Sequence, residues 1–149
     1  MSVHSPYITD VLVVGAGLAG ERTAIEAATQ GCDVTILSLV PPRRSHSTAA
    51  QGGMQASLGN AAMGRGDGPD IHFVDTVKGS DWGCEQDVAK LFVTLSPAAV
   101  KQLSYWGCPW NRVEAGKKKL PDGQEIEDLP EYEGLITARD FGGTAKWRT

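Results

Sequence analysis

The sequence has little that marks a secreted, metal-binding or nucleic-acid-binding protein. Its three cysteines, Cys32, Cys84 and Cys108, lie far apart and form no CxxC pair, so neither a zinc site nor a dithiol motif is readable. An odd count also argues against a disulfide framework and for thiols in a reducing compartment. Positive charge is not in surplus: 14 Lys and Arg stand against 18 Asp and Glu, for a net charge of −4. The basic face of a nucleic-acid binder is therefore not expected. No apolar run approaches the roughly 20 residues of a membrane-spanning helix. The stretch Met1 to Tyr7 reads as too short and polar for a signal peptide.

What is present is glycine, 18 of 149 residues, in a chain that is 41% hydrophobic. That length suits about one domain, and the composition supports a buried core. Residues 8–14 read as a strand, and their nearly continuous apolarity suits a parallel strand covered on both faces. Gly15-Ala16-Gly17-Leu18-Ala19-Gly20 follows, then a helix from about Ala19 to Gln30 with Ala24, Ile25 and Ala28 inward. Gly31 stands where a left-handed residue ends a helix. Asp33 to Leu37 reads as the second strand, which completes a βαβ unit.

A GxGxxG pattern is weak alone, but between a strand and a helix it points to dinucleotide binding. Gly15 makes the tight turn, Gly17 lets backbone reach a pyrophosphate, and Gly20 lets helix and strand pack closely. The helix N-terminus offers amides and positive dipole to phosphates, with Ala16 and Ala19 in the same turn. The carboxylate that usually binds ribose hydroxyls at the end of the second strand is replaced by Ser38. Glu21 has no role legible from sequence.

Residues 41–68 are rich in Gly, Ser, Ala and Pro without a period, as in a long functional loop. Residues 70–79 read as a helix with Asp70 as N-cap, Phe73, Val74 and Val77 on one side, and Gly79 as stop. A further helix from about Glu85 carries Val88, Leu91, Phe92 and Leu95 inward. Ser96-Pro97 reads as a restart, N-cap and first residue, with Gly107 closing the second piece. Residues 110–139 read as irregular with short strands. Lys117-Lys118-Lys119 reads as a solvated turn, and Pro121-Asp122-Gly123 as another. His4 and His72 read as ordinary structural histidines.

A second motif is more specific: Arg43-Arg44-Ser45-His46-Ser47-Thr48-Ala49-Ala50-Gln51-Gly52-Gly53-Met54. With residues 78–84 (KGSDWGC), 106–110 (WGCPW) and 139–143 (RDFGG), it resembles the flavoprotein subunit of the fumarate reductase and succinate dehydrogenase family. The resemblance covers nearly the whole chain and is strongest to the quinol:fumarate reductase branch. It implies an α/β, Rossmann-like FAD-binding fold, with residues 1–149 as the N-terminal part of that domain.

The resemblance also implies that His46 bonds the 8α-methyl carbon of FAD, a reasonable role for a nucleophilic imidazole nitrogen. The neighbours implied at the cofactor are Arg44, Ser45, Ser47, Ala50, Gln51, Gly52 and Gly53, with Gln51-Gly52-Gly53 along the flavin ring. Gly52 and Phe141 are implied beside a fumarate or succinate dicarboxylate. No proton donor is recognisable in this chain. The implied partners are an iron–sulfur subunit and a membrane-anchor cytochrome b subunit that reach the quinone pool, at the cytoplasmic face of the cytoplasmic membrane. L-Aspartate oxidase, with non-covalent FAD, is a rival disfavoured by His46. A non-catalytic FAD-binding module is a rival disfavoured by the Phe141-Gly142-Gly143 match.

Overall fold

The computed structural model describes residues 7–50, 53–119 and 123–149. These fall into two compact units, Met1–Gly52 and Gly53–Thr149. In the first, β1 (Val11–Val14) and β2 (Val34–Leu37) pair in parallel across α1 (Leu18–Thr29). Val13 faces α1 and is buried, as is Ala24 on the helix. Gly31, at φ +89°, ends α1. Its amide bonds the Ala28 carbonyl and that of Cys32 bonds Ala27, the paired closure a left-handed glycine allows.

The expectation of strands covered on both faces is corrected. Leu12, Val14, Ile36 and Leu37 are all exposed, because a two-stranded sheet under one helix has a covering layer on one face only. Ile25 and Ala28 are likewise exposed, so Ala24 alone of the expected inward residues is buried. The close approach of helix to strand is real. A Cβ built on Gly20 would stand 2.0 Å from the Gly15 carbonyl oxygen and 3.3 Å from Val13.

In the second unit, α3 (Pro69–Gly79) packs on α4 (Gln86–Tyr105). Helix α3 begins one residue earlier than expected, with Gly68 as N-cap and Pro69 at its first position. Proline suits that position because its missing amide would be unbonded there anyway. Asp70 lies in the first turn instead, where it pairs with Lys90 of α4. The chain leaves α3 through Asp81 and Trp82, both at positive φ.

Helix α4 does not restart at Pro97; it runs through it. Proline removes the amide that would bond the Val93 carbonyl, and the Ser96 hydroxyl donates to that carbonyl at 3.4 Å. Ser96 is thus an internal substitute donor, not a cap. The buried face is Ala89, Val93, Ser96 and Val100, whereas Val88, Leu91, Phe92 and Leu95 are exposed. A small core forms where Val100 meets Ala56 and Ile136, with Met54, Leu58 and Trp110 around it.

The lysine run is not a turn. It lies in β3 (Gly116–Lys119), antiparallel to β4 (Glu125–Asp128), with Lys117 opposite Glu127. Opposite charges on facing positions favour such a pairing. Gly123 is at φ +88°, while Pro121 and Asp122 of the expected turn lie outside the described residues.

The close approach at Gly20 generates a prediction. In an intact subunit carrying this chain, Gly20→Ala is expected to cost about 2 kcal/mol, the scale of overpacking against backbone that cannot easily yield. A lowered urea midpoint relative to the parent protein checks it.

Candidate functional site

The first unit gathers several of the expected cofactor residues around one cavity. Gly15 takes φ +111°, in the left-handed region that glycine enters without a Cβ clash. Gly17 then caps α1 with extended backbone. Past β2, residues 42–44 form a short turn and His46–Ala49 a single helical turn, α2. Ser45 caps α2 by accepting from the Thr48 amide, and Thr48 donates its hydroxyl to the Pro42 carbonyl at 3.2 Å.

This local frame places His46 at the first position of α2. It is tied to the glycine turn by Ser47, whose hydroxyl oxygen accepts from the Leu18 amide at 3.1 Å. A cavity of about 430 Å³ results, lined by Gly17, Leu39, Val40, Arg44, Ser45, His46 and Ser47. Its wall combines a glycine turn at a helix start, one guanidinium, one imidazole and two aliphatic residues. That donor set fits a group with phosphate and aromatic parts. A Cβ on Gly17 would stand 3.1 Å from the Ser47 hydroxyl oxygen, so a side chain there would crowd the seat.

Ala16 is buried under the turn, and Ala19 sits in the first turn of α1. Ser38 and Ala50 are exposed and line none of this cavity. Gln51 and Gly52 lie outside the described residues. Glu21 occupies the first turn of α1, where a carboxylate stabilises the helix dipole.

The second unit holds Phe141. Its ring packs on Gly53 so closely that a Cβ there would meet its Cζ at 2.8 Å. The Arg139 guanidinium stands 4.9 Å from the ring centroid on another side. Gly53 is therefore a glycine because Phe141 needs the space. The ring borders a cavity of about 400 Å³, lined also by Gln55, His72, Asp75, Thr76, Gly79, Phe92, Gly142, Gly143 and Thr144.

Sequence reasoning missed what holds this wall. Arg148, fully buried, makes two hydrogen bonds of 2.9 Å to Asp67 and one of 2.7 Å to Asp75. Asp75 also accepts from the Ala145 amide at 2.9 Å. Burial acts against the guanidinium charge, but the bonds and charges of Asp67 and Asp75 outweigh it and leave the Arg148 pKa raised. Arg148 also exchanges backbone hydrogen bonds with Arg139, so the clasp fixes both ends of the segment carrying Phe141. The sequence signal was only an aspartate at the centre of a helix reading as amphipathic.

His72, read from the sequence as an ordinary structural histidine, lies in the same wall. It is 1% exposed and edge-on to Phe92, with ring centroids 5.6 Å apart. Neither ring nitrogen meets a partner among the described residues. Burial first, then the Arg148 charge, lowers its pKa below the ordinary value, against a smaller opposing effect of Asp67 and Asp75.

Comparisons with known proteins give the family. Residues 10–149 match a family model described as FAD binding domain. The chain belongs to that family. A fumarate reductase flavoprotein subunit of Helicobacter pylori is 53% identical over 143 residues, 94% of this chain and 20% of the relative. The same-named subunit of Proteus vulgaris is 46% identical over 125 residues, 81% of this chain and 20% of the relative. Among solved structures, E. coli quinol fumarate reductase FrdA matches with TM-score 0.70 and 40% identity, covering 95% of this chain and 20% of that one. A Mycobacterium smegmatis Sdh1 complex matches with TM-score 0.74 and 28% identity, covering 94% and 20%. The chain thus spans about a fifth of the length of these relatives. It is an FAD-binding-family segment similar to flavoprotein subunits of fumarate reductase. No helix of the described residues is long and apolar enough to cross a membrane.

Two outcomes follow from the clasp and the buried imidazole. Arg148→Met, made in an intact subunit, leaves Asp67 and Asp75 buried without their cation and is expected to cost about 3–5 kcal/mol, read from denaturant unfolding. For His72, the unfolded chain takes up a proton near pH 6.5 whereas the buried ring does so only at lower pH. Its contribution is full above that pH and is lost as pH falls through the depressed folded value. The unfolding midpoint should therefore drop more steeply below pH 6.5 in the parent protein than in His72→Phe.

Proposed function

We propose that this chain is the N-terminal part of the FAD-binding domain of a quinol:fumarate reductase flavoprotein subunit, with a Rossmann-like βαβ opening and FAD attached covalently through His46. The observation that carries the reading is one cavity in which His46, Arg44 and the Gly17 turn meet, tied together by Ser47. The family model and the flavoprotein relatives support the cofactor's identity.

Bound FAD supplies a ring that passes hydride to, or takes it from, a carbon–carbon bond. The chain's own residues seat it. Gly15 and Gly17 would bring backbone to the pyrophosphate, and the start of α1, with Ala16, Ala19 and Gly20, would offer it amides. Ser38 offers a hydroxyl to ribose in place of the usual carboxylate. The His46 imidazole nitrogen would bond the 8α carbon, the methyl and imidazole protons and the electron pair passing to the flavin ring, which ends reduced; Ser45, Ser47 and Ala50 would shape its turn, and the resemblance assigns Gln51, Gly52 and Gly53 to the ring. The resemblance assigns Gly52 and Phe141 to the dicarboxylate, where an aromatic face would press on its carbon chain and keep water from it.

The reaction in this reading is fumarate reduction to succinate or its reverse. No carboxylate clamp and no proton donor for that reaction is assigned to the residues of this chain. Electrons come from quinol through an iron–sulfur subunit, with a cytochrome b membrane anchor holding the assembly at the cytoplasmic face of the membrane. No nucleic-acid partner belongs to it.

The test is direct. After acid precipitation of the intact subunit and proteolysis, fluorescent flavin should stay on the peptide containing His46. His46→Ser should release the flavin to the supernatant, and Gly17→Val should abolish its incorporation. Flavin wholly in the supernatant of the unmutated protein removes the covalent link. Normal occupancy in Gly17→Val removes the glycine turn from the site.

A further inference from the structure

The cavity behind Phe141 contains a buried imidazole with two unsatisfied nitrogens. Burying such a group without a hydrogen-bond partner is costly, and the cavity beside it has room for a molecule that supplies one. A neutral histidine offers one N–H donor and one acceptor lone pair. The charged groups facing it are Arg148, Asp67 and Asp75, and these are already paired with one another. With those charges answered within the clasp, a neutral hydrogen-bonding molecule suits the imidazole, and water is the natural choice.

The other wall is the Gly142–Gly143 turn, with φ of +44° and +78°. The amides of Phe141, Gly142 and Gly143 take no part in the backbone hydrogen bonds among the described residues. The turn is anchored through Asp75 and the Ala145 amide on one side and borders the cavity on the other.

We propose that His72 is a positioning residue for the dicarboxylate site: through water in this cavity its imidazole holds the Gly142–Gly143 turn, and so sets where the Phe141 ring stands. The inference rests on the proposed role of Phe141. It does not make His72 a catalytic residue, since the ring touches neither reacting carbon. Only the neutral imidazole both donates and accepts; protonation makes both nitrogens donors, so the water that donated to the ring must turn round, which loosens the turn it holds.

The experiment uses the intact, FAD-loaded subunit with fumarate and a reduced dye. Parent protein that carries flavin and reduces fumarate establishes the underlying reading first; its failure there belongs to that reading. His72→Phe keeps a ring edge-on to Phe92 and removes both nitrogens. It should raise the fumarate KM about tenfold, with kcat lowered less than about threefold and flavin content unchanged. His72→Asn, which again offers a donor and an acceptor, should recover most of that loss. The parent KM should rise on acidification and the His72→Phe KM should not. A loaded His72→Phe protein with parental KM overturns the proposal. So does equal impairment of His72→Phe and His72→Asn with an unaltered acid limb, because that pattern marks a ring needed only for packing.

Discussion

The buried guanidinium of Arg148 is the constraint on which the second unit turns. Removing a cation from water costs several kcal/mol, and the cost is met only if geometry and partners are complete. Here Asp67 and Asp75 come from the loop before α3 and from α3 itself, while Arg148 comes from the far end of the chain. The three cannot pair unless the loop, the helix and the 139–149 segment are already in register. The ion cluster therefore acts as a check on assembly as much as a source of stability, and the Phe141 ring inherits its position from that check.

Much of the first unit was legible in the sequence because its signals are local. The glycine spacing, the β-branched runs and Gly31 each act within a few residues, and β1, α1 and β2 lie where those signals place them. The grouping of His46 with the Gly17 turn was legible only through resemblance to a family, since no spacing rule joins residues 29 apart through a serine hydroxyl. The clasp was illegible for the same reason at longer range. Asp67 and Arg148 are 81 residues apart, and a lone aspartate and a lone arginine carry no pattern.

The errors in α4 have a different origin. Ser96-Pro97 has the chemistry of a helix start, yet the same pair continues a helix when the serine hydroxyl supplies the donor that proline lacks. Val88, Leu91, Phe92 and Leu95, spaced i, i+3, i+4 and i+7, were expected inward. The buried positions are the smaller ones, Ala89, Val93 and Val100, because α4 lies close against its neighbours along that side. Val88, Leu91, Phe92 and Leu95 line the other side. The helix is apolar on two faces, and periodicity alone does not rank them.

The hydroxyl link between Ser47 and the start of α1 has a temporal meaning. Unit one is built from contacts of short sequence separation, with Leu18 and Ser47 standing 29 positions apart, and such contacts close early in folding. The long-range clasp closes late. The seat beside His46 thus takes shape on a faster clock than the wall around Phe141. A ligand that selects the first is able to engage while the second is still being assembled.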